Sequence, residues 1–256
     1  MIAPYYEDAA SGITIYHGDC REVLGALASG SVDAIVTDPP YGHSNGEDDF
    51  ASRRHHVMKD GRDTKQEPIA HDSAEGMREV VEHMLREATR ILTPERNAVA
   101  VWCGGGGPTP TFAWLADRMN RDGLSFFHSV IWDKRNPGVG WRFRRQHEMI
   151  MVSHRAGDRM NWNDDERVLP NILSYFPPQK RVHPNEKPVD LVKTFLAAIT
   201  NAGQVIVDPF MGSGTTLVAA KAVGVRAIGI ELEEKFCEVA VERLRQRELF
   251  GLSDND

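Results

Sequence analysis

The chain has 256 residues, of which 41% are hydrophobic and 26% are charged, values typical of globular proteins. This composition argues against disordered, collagen-like and coiled-coil proteins, and it predicts one domain that needs no disulfides to bury its core. The three cysteines are far apart and form no CxxC pair, which favours reduced thiols over a zinc ribbon. The formal charge of -7 is concentrated in residues 1–49, so basic surfaces remain available in residues 50–256.

No window contains the roughly 18 apolar residues that a membrane span needs, and the N-terminal residues lack a signal-peptide pattern. We therefore expect no membrane partner and a location inside the cell. The apolar pattern alternates between strand and helix periods, which predicts an α/β sheet with ligands beyond the carboxyl ends of its strands. Strands are predicted at residues 13–16, 34–37, 98–102, 129–132, 148–152, 204–208 and 226–231. Helices are predicted near residues 23–27, 77–91, 188–199, 215–220 and 233–248.

A glycine-rich turn follows the predicted strand 204–208 and opens a helix. Gly212 and Gly214 would let the backbone approach a ligand without a Cβ atom in the way. The turn matches neither the P-loop nor the dinucleotide fingerprint, so phosphate is not the favoured ligand. Glu231 ends the next strand, as acids do that bind ribose hydroxyls in nucleoside-binding folds. Together these features indicate an adenosyl cofactor, although a plain strand-to-helix connection would also use such a turn.

A second motif, Asp38-Pro39-Pro40-Tyr41, ends the apolar strand 34–37. Two prolines cannot continue a strand ladder, so the motif forms a corner at the strand end. Taken alone, the corner could be a proline-stiffened turn with a solvated acid and a packing tyrosine. Together with residues 208–216 it resembles the signature of S-adenosyl-L-methionine-dependent DNA amino-methyltransferases. Gly18-Asp19, residues 132–134 with 147–148, and the HPNEKP sequence at 183–188 extend the resemblance over nearly the whole chain.

The order of the two motifs resembles the β class of that family, in which the catalytic motif precedes the glycine-rich turn. In this sequence that turn is residues 208–216, named the glycine loop below. The resemblance implies a circularly permuted, Rossmann-like fold with a mostly parallel seven-stranded sheet and one antiparallel strand. It implies a single methyltransferase domain over residues 1–256, with segments 43–75 and 154–182 as candidate target-recognition elements. It also implies a cytoplasmic enzyme of a bacterial cell or a phage-infected host, of the kind that serves restriction–modification.

The resemblance assigns catalysis to the four residues of the corner. The carboxylate of Asp38 and the carbonyl of Pro39 would accept the two hydrogens of an exocyclic amine and aim its lone pair at the methyl group. Pro40 would stiffen the corner, and Tyr41 would stack on the target base. Because this base must leave the duplex to reach the corner, the partner is double-stranded DNA with a flipped base. No metal or covalent intermediate is needed.

The cofactor implied by the resemblance is S-adenosyl-L-methionine. Its methionine end would lie near Asp208 and the glycine loop, its ribose near Glu231 and its adenine near Phe210 and the start of the first helix. The full set is Asp19, Cys20, Lys187, Asp208, Phe210, Gly212, Ser213, Gly214, Thr215 and Glu231. Some of these residues have plainer interpretations: Asp19 could only cap a helix, Phe210 could belong to the core and Lys187 could be a solvated charge.

A basic loop at residues 134–145, which lies between the strands 129–132 and 148–152, carries five cations and two aromatic rings without an acid. Such a loop is suited to phosphate contact and base stacking, although a solvated hairpin tip has the same composition. The candidate DNA-binding residues are Lys134, Arg135, Trp141, Arg142, Arg144 and Arg145. Three histidines at 55, 56 and 71 do not make a convincing metal site.

The DPPY form of the motif favours the N6 amine of adenine as the target. Cytosine-N4 methylation stays open, because the related SPPY form commonly accompanies it. A hypothesis of another class is a nucleic-acid-binding regulator that keeps the cofactor fold without turnover. The DNA recognition sequence and a partner endonuclease cannot be inferred from the sequence, and a homodimer is left open.

Overall fold

Ten strands and six helices are formed by the residues that the computed structural model describes, which are 2–40, 74–104, 111–137, 143–163, 168–178 and 186–249. The strands are β1 (Tyr6–Asp8), β2 (Ile13–His17), β3 (Ala34–Thr37), β4 (Arg96–Gly104), β5 (Leu124–Asp133), β6 (His147–Arg155), β7 (Arg159–Met160), β8 (Ile172–Ser174), β9 (Val205–Asp208) and β10 (Arg226–Glu231). The helices are α1 (Cys20–Ala26), α2 (Ala74–Ile91), α3 (Thr111–Arg118), α4 (Val189–Ile199), α5 (Thr215–Ala222) and α6 (Glu234–Leu249). None of these helices is long and apolar enough to cross a membrane.

The strands form one mixed sheet with the order β1-β2-β10-β9-β3-β4-β6-β5-β8, and β7 pairs with β4 outside this order. Strands β2, β10, β9, β3 and β4 are mutually parallel. Strand β6 runs antiparallel to both of its neighbours, and β1 runs antiparallel to β2. The carboxyl ends of the five parallel strands therefore meet at one edge of the sheet, and the antiparallel β6 begins at that same edge.

Helices cover both faces of the sheet because the central strands are apolar on both sides. In β3, Ala34 and Val36 face a core shared with α4, α5 and α6, whereas Ile35 faces a core shared with α1, α2 and α3. In β4, Val99 and Val101 face the same way as Ile35. This three-layer arrangement confirms the predicted α/β class.

The predicted count of seven strands with one antiparallel member is wrong for the described residues. Seven strands of at least four residues do form the central order β2-β10-β9-β3-β4-β6-β5, in which only β6 is antiparallel. The prediction missed β1, β7 and β8, because two or three residues are too few to produce a recognisable period. It also missed the two-turn helix α3, and it treated 154–182 as irregular although β7 and β8 lie there.

Candidate active site

The two sequence motifs meet at the edge where the parallel strands end. Strands β3 and β9 are direct neighbours in the sheet, so Asp38, which follows β3, lies beside Asp208, which ends β9. The hydroxyl of Thr37 donates a hydrogen bond of 2.5 Å to Oδ1 of Asp208 and links the two strand ends. Two stretches separated by about 170 residues in the sequence therefore build one site.

A cleft of about 460 Å³ opens at this edge. Seven of the predicted site residues line it: Asp38, Lys187, Asp208, Phe210, Gly212, Ser213 and Thr215. The side chain of Asp38 is 23% exposed, so its carboxylate is accessible rather than buried in the core. Pro39 is buried behind the corner and Pro40 is half-buried.

Asp208 is a buried acid whose described partners are all uncharged donors. Its Oδ1 accepts from Thr37 and, at 3.1 Å, from the backbone N–H of Phe210. Burial raises the pKa of Asp208 to about 6, because these hydrogen bonds offset the loss of solvation only in part. No salt bridge is found for Asp208 within the described residues. Such an acid is suited to pairing with a cationic group of a ligand.

The glycine loop is held by backbone hydrogen bonds and close helix packing. The N–H of Gly212 donates to Oε2 of Glu231 at 2.9 Å, and the other oxygen of Glu231 accepts from the N–H of Glu233 at 2.8 Å. Gly214 has a φ of +80°, and a Cβ atom there would lie 2.7 Å from the Cβ of Ala240 in α6. Packing against α6 therefore requires glycine at 214, a reason that the sequence analysis did not identify.

Glu231 lies at the end of β10, as predicted, and its carboxylate holds the glycine loop through the N–H of Gly212. Burial raises the pKa of its carboxyl group, although the backbone N–H groups of Glu233 and Gly212 act in the opposite sense. The predicted ribose contact remains a prediction, and the structure adds that both carboxylate oxygens already accept backbone hydrogen bonds.

Asp19 and Cys20 lie where β2 leads into α1. Asp19 is the N-cap of α1, accepts a hydrogen bond from the N–H of Arg21 and forms an ion pair of 2.5 Å with the guanidinium of Arg21. Cys20 is buried, and burial raises the pKa of its thiol to about 12. Phe210 packs against the apolar cluster that contains Cys20. Phe210 and Cys20 therefore share one apolar cluster, and the adenine contacts remain a prediction.

Lys187 is buried in an ionic network that the sequence analysis did not predict. Its ammonium lies 2.5 Å from Oδ2 of Asp38 and 3.2 Å from Oε2 of Glu148. Oε1 of Glu148 accepts a 2.5 Å hydrogen bond from Lys134. Lys134 was predicted as a DNA contact and Lys187 as a neighbour of the cofactor. The structure links both to Asp38, Lys187 directly and Lys134 through Glu148 and Lys187. Glu148 was noted only as part of the family resemblance and was not selected as a site residue.

Arg243 is a second residue that the sequence analysis missed. Its guanidinium donates to the carbonyl and the hydroxyl of Ser213 at 2.9 and 2.8 Å and to the hydroxyl of Thr215 at 3.2 Å. It also forms an ion pair of 2.7 Å with Glu186. Its position in α6 could have indicated this role. Arg243 lies three residues after the buried Ala240 and next to the buried Leu244, and a cation close to the buried face of a helix requires polar partners.

The basic loop is described only in part. The backbone of Arg135 has a φ of +56°, and its guanidinium lies 5.2 Å from the ring centroid of Phe176. Arg144 and Arg145 are exposed, and Arg144 donates to the carbonyl of Pro137 at 3.3 Å. The predictions for Tyr41, Trp141 and Arg142 lie outside the described residues, as do the loop 43–73 and its three histidines. In the described ranges, no cluster of three His, Cys, Asp or Glu side chains could hold a metal ion.

A family model described as DNA methylase, covering the N6 and N4 amine methyltransferases, matches residues 32–242. The chain belongs to this DNA methylase family.

Known proteins extend the comparison. The Type II methyltransferase M.HinfI of Haemophilus influenzae is 28% identical in an alignment that covers 91% of this chain and 68% of that protein. The solved structure of TTHA0409 from Thermus thermophilus, complexed with S-adenosyl-L-methionine, is 25% identical with a TM-score of 0.67 and coverages of 93% and 97%. The PvuII DNA methyltransferase, which is cytosine-N4-specific, is 16% identical with a TM-score of 0.70 and coverages of 99% and 90%. The predicted cofactor is confirmed at the level of the family.

Proposed function

We propose that this chain is an S-adenosyl-L-methionine-dependent methyltransferase that modifies the exocyclic N6 amine of adenine in double-stranded DNA. The observation that carries the proposal is the junction of Asp38 and Asp208 at neighbouring strand ends in one cleft. Membership of the DNA methylase family supports DNA as the substrate. The catalytic motif precedes the glycine loop in the chain, and this order supports a permuted, β-class methyltransferase with a single domain.

The chain's own residues would bind and orient the reactants. The carboxylate of Asp38 and the carbonyl of Pro39 would accept the amine hydrogens, and Lys187 holds that carboxylate in place. When bound, S-adenosyl-L-methionine supplies an already activated methyl group, so no metal or covalent enzyme intermediate is required. Asp208 would pair with the methionine ammonium, Glu231 would bind the ribose, and Phe210 would contact the adenine ring.

The target adenine would have to leave the DNA stack, because its amine could not reach Asp38 at the strand ends while the base stays in the duplex. Tyr41 would stack on the flipped base. Cations of the basic loop, chiefly Arg144 and Arg145, would contact the DNA phosphates. The segments 43–75 and 154–182 would read the sequence around the target.

Cytosine-N4 methylation is the second candidate, since the matching family covers both amines and the PvuII enzyme shares the fold. One experiment separates the candidates. The purified protein is incubated with methyl-labelled S-adenosyl-L-methionine and unmethylated DNA, and the nucleosides are then separated. Label in N6-methyladenine supports the proposal, and label in N4-methylcytosine selects the second candidate. A protein that binds the cofactor but labels neither base across DNA of diverse sequence would instead be a regulator.

A further inference from the structure

Glu148 reaches the catalytic corner because of the direction of its strand. Strand β6 is antiparallel to β4, so its first residues lie at the edge where the parallel strands end. Glu148 is registered opposite Gly104, the last residue of β4, and opposite Trp132 in β5. Its side chain is only 14% exposed. A buried carboxylate at this edge requires cationic partners, because an unpaired buried charge is costly.

Those partners are two lysines, one of which also contacts Asp38. Glu148 lies 2.5 Å from the ammonium of Lys134 and 3.2 Å from that of Lys187, and Lys187 lies 2.5 Å from Asp38. The four charges alternate in sign from the catalytic acid to the half-buried Lys134. Burial favours the neutral form of Lys187, but Asp38 and Glu148 outweigh this effect and raise its pKa, so the ammonium stays charged.

Methyl transfer makes the charge next to Asp38 important. The lone pair of the amine nitrogen forms the new N–C bond, the C–S bond of the donor breaks with its electrons left on sulfur, and the nitrogen stays positive until it releases a proton to water. The fixed positive charge of Lys187 opposes this developing charge. Glu148 places a negative charge on the same ammonium and offsets the repulsion.

We infer that Glu148 is a positioning residue for methyl transfer, which orients the ammonium of Lys187 on Asp38 and balances its charge beside the reacting amine. The inference rests on the proposed function of Asp38. It adds a residue on a different strand to the catalytic corner, and it explains why one buried ammonium contacts two carboxylates when one would be enough to pair it.

The test is Glu148→Gln, which keeps the shape of the side chain and removes its charge. We expect the single-turnover rate of methyl transfer to fall about 10- to 100-fold, the range of coupling seen within one hydrogen-bonded network, while the Kd for cofactor stays within about twofold of wild type. The matched control is Asp158→Asn, near the other end of β6. Asp158 is 15% exposed and is paired with Arg155, so its removal matches the burial and lost ion pair, and we expect the transfer rate to be unchanged.

A double-mutant cycle separates positioning from general destabilisation. In a Lys187→Met background, Glu148→Gln should lower the rate by less than about twofold, because the ammonium through which it acts is gone. An equal loss in both backgrounds, a wild-type rate for Glu148→Gln, or an equal loss in Asp158→Asn would overturn the inference. If Glu148→Gln does not fold, Glu148→Asp takes its place, since it keeps the charge but withdraws it by one methylene. An inactive wild-type protein would instead overturn the proposed function of the site.

Discussion

Asp38 and Asp208 lie at neighbouring strand ends, but the protein stabilises these two acids in different ways. Asp38 is partly exposed and paired with a lysine from the segment before α4. Asp208 is 2% exposed, and its partners are the hydroxyls of Thr37 and Thr216 and the backbone N–H of Phe210. The first acid therefore has a cation in the folded chain, whereas the described partners of the second are uncharged. This difference supports the proposed division, in which Asp38 would serve the substrate amine and Asp208 the cofactor.

The strongest test of this division is Asp38→Asn, which keeps the size of the side chain. We expect methyl transfer to fall by about a thousandfold or more, because the amine loses its charged acceptor, while the Kd for cofactor changes by less than about threefold. Filter binding of labelled DNA and isothermal titration with cofactor measure the two quantities. A parallel loss of cofactor affinity would mean that Asp38 belongs to the cofactor pocket.

The counterpart is Asp208→Asn, for which we expect the opposite pattern. The amide can still accept from Thr37 and Phe210, but it offers no charge to an ammonium, so cofactor affinity should fall about 100-fold. Titration calorimetry measures this loss. The variant should still bind DNA with wild-type affinity, and unchanged cofactor affinity would contradict the assignment.

The raised pKa of Asp208 makes a prediction about pH. Its pKa of about 6 lies above the ordinary value of 3.8, so the native state binds the proton more tightly than the unfolded state. The stability from this group is fully present below pH 3.8 and is lost as the pH rises through 6. The difference in free energy of unfolding between Asp208→Asn and wild type should therefore shift in favour of the variant by up to about 3 kcal/mol as the pH rises from 3.8 to above 6.

Cofactor binding should depend on pH in the opposite sense. A cation binds the ionised carboxylate, so the affinity should weaken below pH 6, by at most about tenfold per pH unit. Titrations of the wild type and Asp208→Asn between about pH 5 and 8 check this, since the variant should lack the dependence. A wild-type affinity that does not change across this range would show that Asp208 meets no cation.

Substitution of Arg243 tests whether a side chain of α6 helps to position the glycine loop, in addition to the hydrogen bonds of the loop's own backbone. Arg243→Met keeps an unbranched, largely apolar side chain but removes the donors to Ser213 and Thr215. We expect cofactor affinity to fall about tenfold, because several charge-assisted hydrogen bonds are lost. Arg245→Met in the same helix is the control, since Arg245 is exposed and packs over Tyr6. Equal effects of the two substitutions would indicate a loss of helix stability instead.

The difference between local patterns and contacts distant in the sequence explains what the sequence could predict. The glycine loop with Asp208 and the acid at the end of β10 are local patterns, in which a strand, a turn and a helix start follow one another within about ten residues. The predicted strands 34–37 and 226–231 match β3 and β10 at both ends, because their apolar runs stop at prolines or an acid. Local spacing was enough to locate these residues and to give the α/β class.

The ionic network around Asp38 could not be predicted from local spacing. Asp38, Glu148 and Lys187 come from three parts of the chain, and only the sheet order and the antiparallel direction of β6 bring them together. Lys134 illustrates the consequence, since a basic loop suggested phosphate contact while the folded chain pairs this lysine with Glu148. Arg243 was missed for the same reason, because its partners lie about 30 and 57 residues away.

The smallest expected effect comes from substitutions in the basic loop, where the arginine side chains are exposed. Arg144 and Arg145 are exposed beside Phe143, which is fully exposed. If they contact DNA phosphates, the double variant Arg144→Ala/Arg145→Ala should lower the slope of log K against log salt by roughly one unit per lost contact, and it should weaken affinity uniformly across DNA sequences. The rate of transfer at saturating DNA should be unchanged, because the pair lies outside the ionic network around Asp38.

The control is Arg121→Ala, which removes an exposed arginine paired with Asp117 and should leave the slope as it is. An unchanged slope in the double variant would remove the basic loop from the DNA interface without affecting the division between the two acids.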